Sequence, residues 1–327
     1  MYALLLDKEL QIVENYPTPE PPPGEALIRV SLAGICNTDL ELAKGYMQFR
    51  GVPGHEFVGV VERVEAPDAQ EWEGRRVVGD INAACGNCPT CQAGRPIHCP
   101  NRTTLGIAGR DGAFAEYLTL PICNLHPVPD SLPDEVAVFT EPLAAACEIL
   151  QQVHVRPTDR VIMLGDGKLG LLCAQVLALT GCRLTIVGHH RQKLNILARR
   201  GIPTVLEETA DDEHPVADEE GEADIVVETS GHPGGYAAAR RLVRPRGAIV
   251  LKSTYRGALD ANLTMAVVDE ITLVGSRCGP FVPALRLLER GLVDVLPLIQ
   301  ARYPLSESLT AFKHAARPGT LKVLLAG

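Results

Sequence analysis

The sequence predicts an α/β protein with two domains, one rich in β-strands and one built on a doubly wound parallel sheet. The chain has 327 residues, which is enough for two separate hydrophobic cores. Its first third consists of short β-branched segments broken by glycine and proline. From about residue 141 onward, apolar strands alternate with amphipathic helices. We therefore place the β-rich domain at 1–144 and 281–327, and the parallel-sheet domain at 145–280.

Short strands account for most of the first third. The predicted strands, which are rich in β-branched residues or alternate with polar ones, are 27–36, 57–64, 75–80 and 114–120. A proline cluster at 17–24 marks a turn ahead of them.

The second domain begins with a helix at 141–153. An apolar strand, a glycine-rich turn and a helix follow within 159–181. Further strands are predicted at 183–188, 224–231, 247–254 and 271–276, and a further helix at 191–201; the tail from 281 holds another helix at 282–292. The chain ends with a helix and a strand that we expect to return to the first domain.

Composition excludes several classes of protein. Apolar residues make up 46% and charged residues 22%, as in ordinary globular proteins. No run of eighteen apolar residues exists, so no membrane span is expected. The N-terminus reaches acidic residues by position 7 and has no cleavage-site pattern, so no signal peptide is expected. The expected location is the cytosol, where thiols stay reduced.

The net charge of −9 comes largely from the segment 207–224, which has ten acidic residues and no lysine or arginine. We interpret this run as a solvated surface. The rest of the chain is nearly balanced and shows no basic stripe, so nucleic acid is not an expected partner.

Four cysteines lie within fifteen residues, in the order Cys85, Cys88, Cys91 and Cys99. Disulfides, a metal site and thiol catalysis are all conceivable. Two-residue gaps, with turn-forming glycine, asparagine and proline between the thiols, favour a metal knuckle. The expected cytosolic location disfavours disulfides.

The segment GDGKLG contains Gly165, Asp166, Gly167, Lys168, Leu169 and Gly170. It follows an apolar strand and opens a helix, which is the context of a dinucleotide-binding turn. In such a turn the glycines allow the bend, the approach of the pyrophosphate and the packing of helix on strand. The alternative is an ordinary strand–helix turn that binds nothing.

The end of the next strand indicates which dinucleotide is bound. NAD sites usually have an acid about twenty residues past the glycines. Here Gly188 holds that position, and the groups that follow are His189, His190, Arg191 and Lys193. With no carboxylate to repel a 2′-phosphate and an arginine to bind one, we predict NADP rather than NAD. The alternative is a basic helix start without a ligand.

Four dispersed side chains have the donor types of a catalytic zinc site. They are Cys36, His55, Glu56 and Glu141, and Thr38 lies two residues after the cysteine. A catalytic zinc takes three protein ligands and leaves one position open. It makes a bound alcohol easier to deprotonate, and this chemistry suits a nicotinamide cofactor.

These motifs together resemble those of the zinc-dependent medium-chain dehydrogenases/reductases. The resemblance covers nearly the whole chain and includes GICNTDLE, PGHEFVGVV, the four-cysteine segment, EPLA and GDGKLG. It implies a GroES-like catalytic domain and a Rossmann domain. It also implies two zinc ions per chain, one catalytic and one structural, the latter held by Cys85, Cys88, Cys91 and Cys99.

The resemblance assigns roles at the catalytic zinc. Cys36 and His55 match ligands, and either Glu56 or Glu141 is the third. Thr38 matches the hydroxyl that accepts the substrate proton.

Two neighbouring acids complete this comparison. Asp39 is expected to fix the turn. Glu41 stands where some relatives carry a histidine that passes the proton to solvent, so either it relays the proton or another route exists.

Ser230, Gly231, Arg277 and Lys322 are weaker candidates for the cofactor crevice or the substrate cleft. For each, a solvent-exposed polar group is an equally good interpretation.

The predicted function is that of a zinc-dependent, NADP-favouring alcohol or polyol dehydrogenase. The expected partners are a small-molecule alcohol or its carbonyl and, by the resemblance, further copies of the chain in a dimer or tetramer. One alternative is a biosynthetic aldehyde or ketone reductase, which runs the same reaction backwards. Another is a zinc-free quinone reductase, against which Cys36, His55 and Glu141 argue together. A third is a zinc-ribbon binding module, which the few basic residues near the four cysteines disfavour.

Overall fold

The computed structural model describes residues 1–207, 222–254 and 261–327. The chain divides into two compact units, Met1–Glu141 with Phe281–Gly327, and Pro142–Pro280. The first break falls at 141, whereas the sequence placed it at 144. Most of the acidic segment predicted to be a solvated surface lies outside the described residues. No helix in the described part of the chain is long and apolar enough to cross a membrane.

The first unit begins with short strands and helices in this order: β1 (Ala3–Leu6), β2 (Leu10–Val13), β3 (Glu25–Gly34), α1 (Asn37–Ala43), β4 (Glu56–Val64), β5 (Arg76–Gly79), β6 (Asn82–Ala83), α2 (Pro89–Gln92), β7 (Thr103–Leu105), β8 (Gly109–Arg110), β9 (Tyr117–Pro121), β10 (Leu125–Pro127) and α3 (Asp134–Ala137). The break between the units falls within the next helix, α4 (Thr140–Gln152).

The second unit alternates strands and helices: β11 (Arg160–Leu164), α5 (Lys168–Ala178), β12 (Arg183–Gly188), α6 (Arg191–Ala198), β13 (Thr204–Leu206), β14 (Ala223–Glu228), α7 (Gly235–Leu242), β15 (Val243–Leu251), α8 (Leu263–Val268) and β16 (Thr272–Gly275). The chain then returns to the first unit with α9 (Phe281–Glu289), β17 (Ile299–Pro304), α10 (Ser308–Ala315) and β18 (Lys322–Ala326).

A seven-stranded sheet forms the frame of the first unit. Its order is β10-β5-β4-β3-β18-β17, and β9 also pairs with β3. The last strand, β18, runs antiparallel to β3 and sets Leu324 opposite Gly34. The structure thus confirms the predicted return of the C-terminal segment to the first domain. Phe114 and Phe312 meet edge to face in this unit, with ring centroids 5.5 Å apart.

The sheet of the second unit has six strands in the order β13-β12-β11-β14-β15-β16. Every pairing in it is parallel. This is the doubly wound arrangement predicted from the alternation of strands and helices. The order of the strands reverses between β11 and β14, and ligands bind such sheets at the carboxyl ends of the strands near this point.

The core beneath one face of this sheet is made of aliphatic side chains and one tyrosine. Ile162, Val226 and Ile249 come from neighbouring strands, and Tyr236 and Leu242 come from α7. All are buried, so the sheet is a rigid base for the loops at its carboxyl edge.

Candidate functional site

Cys36 is held by the start of α1. It is the residue before the first helical turn, and its backbone N–H donates to Asp39 Oδ2 at 2.8 Å. The carboxylate thereby caps the helix and fixes the position of the thiol. The Thr38 hydroxyl lies 3.8 Å from Cys36 Sγ, so the proposed proton acceptor is next to a candidate zinc ligand.

His55 immediately precedes β4 and is buried. Its Nδ1 lies 3.2 Å from Asp39 Oδ1, which leaves Nε2 as the nitrogen available to a metal. Burial lowers the pKa of His55, but the charges of Asp39 and Cys36 and hydrogen bonds to both side chains together outweigh burial and hold the pKa well above the ordinary value. Asp39 therefore contacts both Cys36 and His55, a wider role than the turn-fixing one predicted from the sequence.

The structure brings Cys36, His55 and Glu56 together. Their ligand atoms all lie within 4.8 Å of one another. The Glu56 carboxylate is buried, and its Oε1 has no hydrogen-bond partner. A buried carboxylate oxygen without a partner is destabilising unless a cation meets it. The thiol, imidazole and carboxylate donors fit zinc, which binds all three.

Lys322 is the positive partner of Glu56. Its Nζ forms a buried ion pair with Glu56 Oε2. The interpretation of Lys322 as a solvent-exposed group is wrong, because β18 returns beside β3 and buries the side chain to 3% exposure. Gly34 makes room for the pair, since a Cβ at this position would collide with the Glu56 carboxylate.

Glu141 lies near this cluster without joining it. Its carboxylate does not belong to the group of ligand atoms that lie within 4.8 Å of one another. The pKa of Glu141 is raised to about 7, because burial and the charge of Glu56 raise it by more than the charges of His55 and Lys322 lower it. The charges of the site therefore act on the Glu141 carboxyl group. Whether Glu56 or Glu141 binds the metal stays a prediction.

Glu41, the candidate proton relay, forms a surface ion pair with Lys44 at 2.8 Å. The pair is an i,i+3 contact along α1.

The four-cysteine segment forms a second cluster in the first unit. Cys88 Sγ lies 3.5 Å from Cys91 Sγ and 3.8 Å from Cys99 Sγ, and Cys99 Sγ lies 3.5 Å from Cys85 Sγ. A disulfide would need about 2.05 Å. Four thiolates about 2.3 Å from one zinc would lie about 3.8 Å apart. Backbone N–H groups of Asn87 and Cys88 lower the pKa of Cys85 to about 6, which favours the thiolate.

The glycine-rich turn lies between β11 and α5. Gly165 has φ +111, and a Cβ there would lie 2.8 Å from the Thr229 backbone. A Cβ on Gly170 would lie 2.5 Å from Gly165 O. The fold itself therefore requires these two glycines. Gly167, by contrast, has no neighbour within 4 Å of such a Cβ, so it leaves open space at the helix N-terminus where a pyrophosphate can approach. Lys168 and Leu169 form the first helical positions after it.

The other predicted dinucleotide contacts lie at the carboxyl ends of the strands. Gly188 ends β12, His189 and His190 follow it, and Arg191 and Lys193 are in the first turn of α6. The interpretation that no carboxylate stands at this strand end is wrong. Asp166 accepts the His190 backbone N–H at 2.6 Å.

A second carboxylate, Glu207, lies at the same edge. His189 Nε2 lies 3.5 Å from Glu207 Oε2. Glu207 follows β13, and its backbone N–H donates to Gly188 O at 2.9 Å. Sequence reasoning named Asp166 only as part of the glycine-rich turn and placed neither acid at this strand end, because both come from neighbouring strands rather than from β12 itself.

Ser230 and Arg277 follow β14 and β16. The backbone N–H of Ser230 donates to Glu228 Oε1 at 2.7 Å, and its hydroxyl donates to the same oxygen. Arg277 is exposed, and its carbonyl accepts from the buried Lys252 at 3.0 Å. Both lie at the edge of the sheet where dinucleotides bind, and the polar side chain of Ser230 is held there by a strand-end acid.

Comparison with known proteins identifies the two units as the two domain types that the sequence motifs predicted. Residues 22–130 match the alcohol dehydrogenase GroES-like domain, and residues 169–290 match the zinc-binding dehydrogenase domain. The chain is 30% identical over 309 residues to the starvation-sensing protein RspB of Escherichia coli K12, covering 91% of each chain. It is 28% identical over 319 residues to the erythritol/L-threitol dehydrogenase of Mycolicibacterium smegmatis, covering 90% of this chain and 88% of the relative.

Solved structures share the whole fold. An alcohol dehydrogenase (RspB) from E. coli CFT073 in complex with NADH superposes with a TM-score of 0.91 at 26% identity, covering 100% of this chain and 99% of that one. A zinc-binding dehydrogenase from Sinorhizobium meliloti bound to NADP gives a TM-score of 0.86 at 29% identity, with the same coverage. The first structure contains NADH and the second NADP.

A GroES-like unit, a doubly wound nucleotide-binding unit and a thiol–imidazole–carboxylate cluster define a nicotinamide-dependent alcohol dehydrogenase. The chain belongs to the zinc-dependent medium-chain dehydrogenase family. The matches to both domains leave no support for the alternative of a zinc-ribbon binding module.

Proposed function

We propose that this chain oxidises a polyol or another small alcohol reversibly, with zinc held by Cys36, His55 and Glu56. The observation that carries the proposal is the buried, unpartnered Oε1 of Glu56 beside the thiol and the imidazole. The name of the M. smegmatis relative supports a polyol as the class of substrate. Reduction of the matching aldehyde or ketone is the same reaction in reverse.

When bound, zinc supplies Lewis acidity that lowers the pKa of an alcohol, and the nicotinamide accepts the hydride. The residues of the chain prepare this step. Asp39 fixes Cys36 and His55 in place, and Lys322 holds Glu56 so that one oxygen faces the cluster. The Thr38 hydroxyl, beside Cys36, is placed to take the substrate proton at its Oγ1 while it releases its own proton to water.

We propose Glu56 rather than Glu141 as the third zinc ligand. The Glu56 carboxylate lies within the cluster, whereas Glu141 interacts with it only at longer range. In the metal-free protein the pKa of Glu141 is raised to about 7, mainly by burial, so this group is not a fixed anion near neutral pH.

We propose a second, structural zinc on Cys85, Cys88, Cys91 and Cys99. The thiol separations match those of a tetrahedral site. Four sulfur ligands would leave no position for a substrate, so this ion would stabilise the loop that carries the four cysteines. Zinc thiolates need a reducing compartment, in accord with a cytosolic location.

We also propose that the chain forms a homo-oligomer. Strand β16 is at the edge of its sheet, and the adjoining helix α8 exposes 76% of Val267 and 65% of Val268. Large exposed apolar residues beside an open strand edge support association with another copy.

A substrate panel tests the proposed reaction. Zinc-loaded protein is incubated with polyols, sugars and simple alcohols plus NAD⁺ or NADP⁺, and reduced cofactor is followed by absorbance. We expect turnover that disappears when zinc is removed by chelation and returns when zinc is added. Turnover that survives complete loss of zinc would contradict the proposal.

A further inference from the structure

The end of β12 raises a question about how this chain selects its dinucleotide. In NAD sites of this fold, an acid at this strand end binds the ribose 2′-hydroxyl. Here the strand ends in Gly188, which by itself would favour the 2′-phosphate of NADP.

The side chain of Asp166 occupies the space that an acid at position 188 would use. A Cβ placed on Gly188 would lie 2.7 Å from Asp166 Cβ and 2.8 Å from Asp166 Oδ2. Only glycine at 188 leaves room for this carboxylate. The strand end thus has an acid after all, contributed by the second residue of the glycine-rich turn.

Hydrogen bonds hold this carboxylate in place. Oδ2 accepts the His190 backbone N–H at 2.6 Å, and His190 Nδ1 lies 3.1 Å from both oxygens. The Asp166 side chain is 7% exposed and the His190 side chain 47% exposed, so the imidazole shields the acid and faces solvent. A ribose at this strand end would meet the imidazole edge with a fixed negative charge directly behind it.

Both histidines at this strand end already have a carboxylate neighbour. His190 is paired with Asp166, and His189 with Glu207. Burial lowers the pKa of Lys193, and the negative charge of Asp166 partly opposes this lowering. A 2′-phosphate carries between one and two negative charges near pH 7 and would have to compete with both carboxylates. A 2′-hydroxyl meets no such repulsion.

We propose that Asp166 takes the place of the missing strand-end acid and makes this chain select NAD against NADP. This inference depends on the proposed function, because it concerns the dinucleotide of the same reaction. It reverses the preference predicted from the sequence, which depended on the absence of a carboxylate at Gly188.

Direct binding measurements test the proposal without using catalysis. Calorimetry with NAD⁺ and NADP⁺, and with the fragments 5′-AMP and 2′,5′-ADP, gives the affinity ratio for each pair. We expect the wild type to bind NAD⁺ and 5′-AMP at least about tenfold more tightly than their 2′-phosphorylated counterparts. Asp166→Asn, which keeps an oxygen for the His190 N–H, should shift both ratios at least about tenfold toward the phosphorylated ligand.

Glu270→Gln is the matched control. It removes one exposed carboxylate just before β16, at the opposite edge of the sheet, and should leave both ratios unchanged. A wild type that prefers NADP⁺ would overturn the proposal even if Asp166→Asn failed to fold. Ratios unchanged in a folded Asp166→Asn protein would overturn it too. Failure of the wild type to bind either dinucleotide would overturn the proposed function as well, and this outcome is distinct from a wrong preference.

Discussion

At the scale of single residues, the buried pair of Lys322 and Glu56 is the most consequential contact. Both side chains are almost completely buried. Removing one partner of a buried pair leaves an uncompensated charge in the interior, which destabilises a protein by about 3–5 kcal/mol. The pair therefore links the stability of the first unit to the geometry of the candidate zinc ligand.

We expect Lys322→Met to lower the free energy of unfolding by about 3–5 kcal/mol, because Glu56 is left buried and unpaired. Urea unfolding in the presence of a chelator measures this loss. The double variant with Glu56→Gln should recover part of it, since no charge then remains unpaired.

The control for this experiment is Lys44→Met. Lys44 pairs with Glu41 at the surface, where its side chain is 66% exposed, so the change should stay within about 1 kcal/mol. Equal, small losses for Lys322→Met and Lys44→Met would show that the buried pair does not form.

Glu141 gives a prediction about pH. Burial raises its pKa from 4.5 to about 7, so between these values the folded state keeps a proton that the unfolded state has released. Stability should therefore fall as pH rises from 4.5 through about 7, and Glu141→Gln should remove this part of the slope. Chemical unfolding of both proteins across this range, with chelator present, measures the difference. Parallel stability curves would count against the raised pKa.

At the scale of elements, the clustering of the four cysteines was predictable from the sequence, and the zinc there stays a prediction. All its ligands lie within fifteen residues, so local spacing was enough to indicate a metal. The glycine-rich turn was recognisable for the same reason, because strand, turn and helix are contiguous. Contacts made by neighbouring strands were not visible: Asp166 reaches Gly188 only because β11 lies beside β12.

For this element we expect Cys91→Ser to bind one zinc per chain where the wild type binds two. Loss of the structural zinc should lower the melting temperature by roughly 5 °C or more. Cys123→Ser, which changes an exposed cysteine outside the segment, should keep both ions and the melting temperature. Metal analysis and thermal unfolding decide the matter, and a Cys91→Ser protein with two zinc ions would refute the assignment.

At the scale of the whole molecule, the sequence predicted both units and the return of the C-terminal segment, because strand and helix periodicities are local signals. It could not predict the partner of Glu56, which lies 266 residues away along the chain. That contact exists only once β18 has paired with β3. Long-range pairing of this kind depends on the assembled sheet and leaves no pattern in a single sequence.

The exposed edge of the second unit predicts self-association. We expect the wild type to elute as a dimer or larger in light-scattering chromatography, and the pair of changes Val267→Glu and Val268→Glu to give monomers. Val282→Glu, at a position 54% exposed on α9 of the first unit, should leave the mass unchanged. A monomeric wild type, or an unchanged mass for the double variant, would be evidence against this edge as an interface.

The central claim is that hydride transfer depends on a zinc bound by Cys36, and one comparison tests it most directly. The rate of cofactor reduction is measured for zinc-loaded wild type and Cys36→Ser with the best substrate of the panel. We predict that Cys36→Ser, shown to be folded and to bind the dinucleotide, loses activity by about a hundredfold or more, since the metal no longer activates the alcohol. A folded, dinucleotide-binding Cys36→Ser protein with full activity would contradict the account.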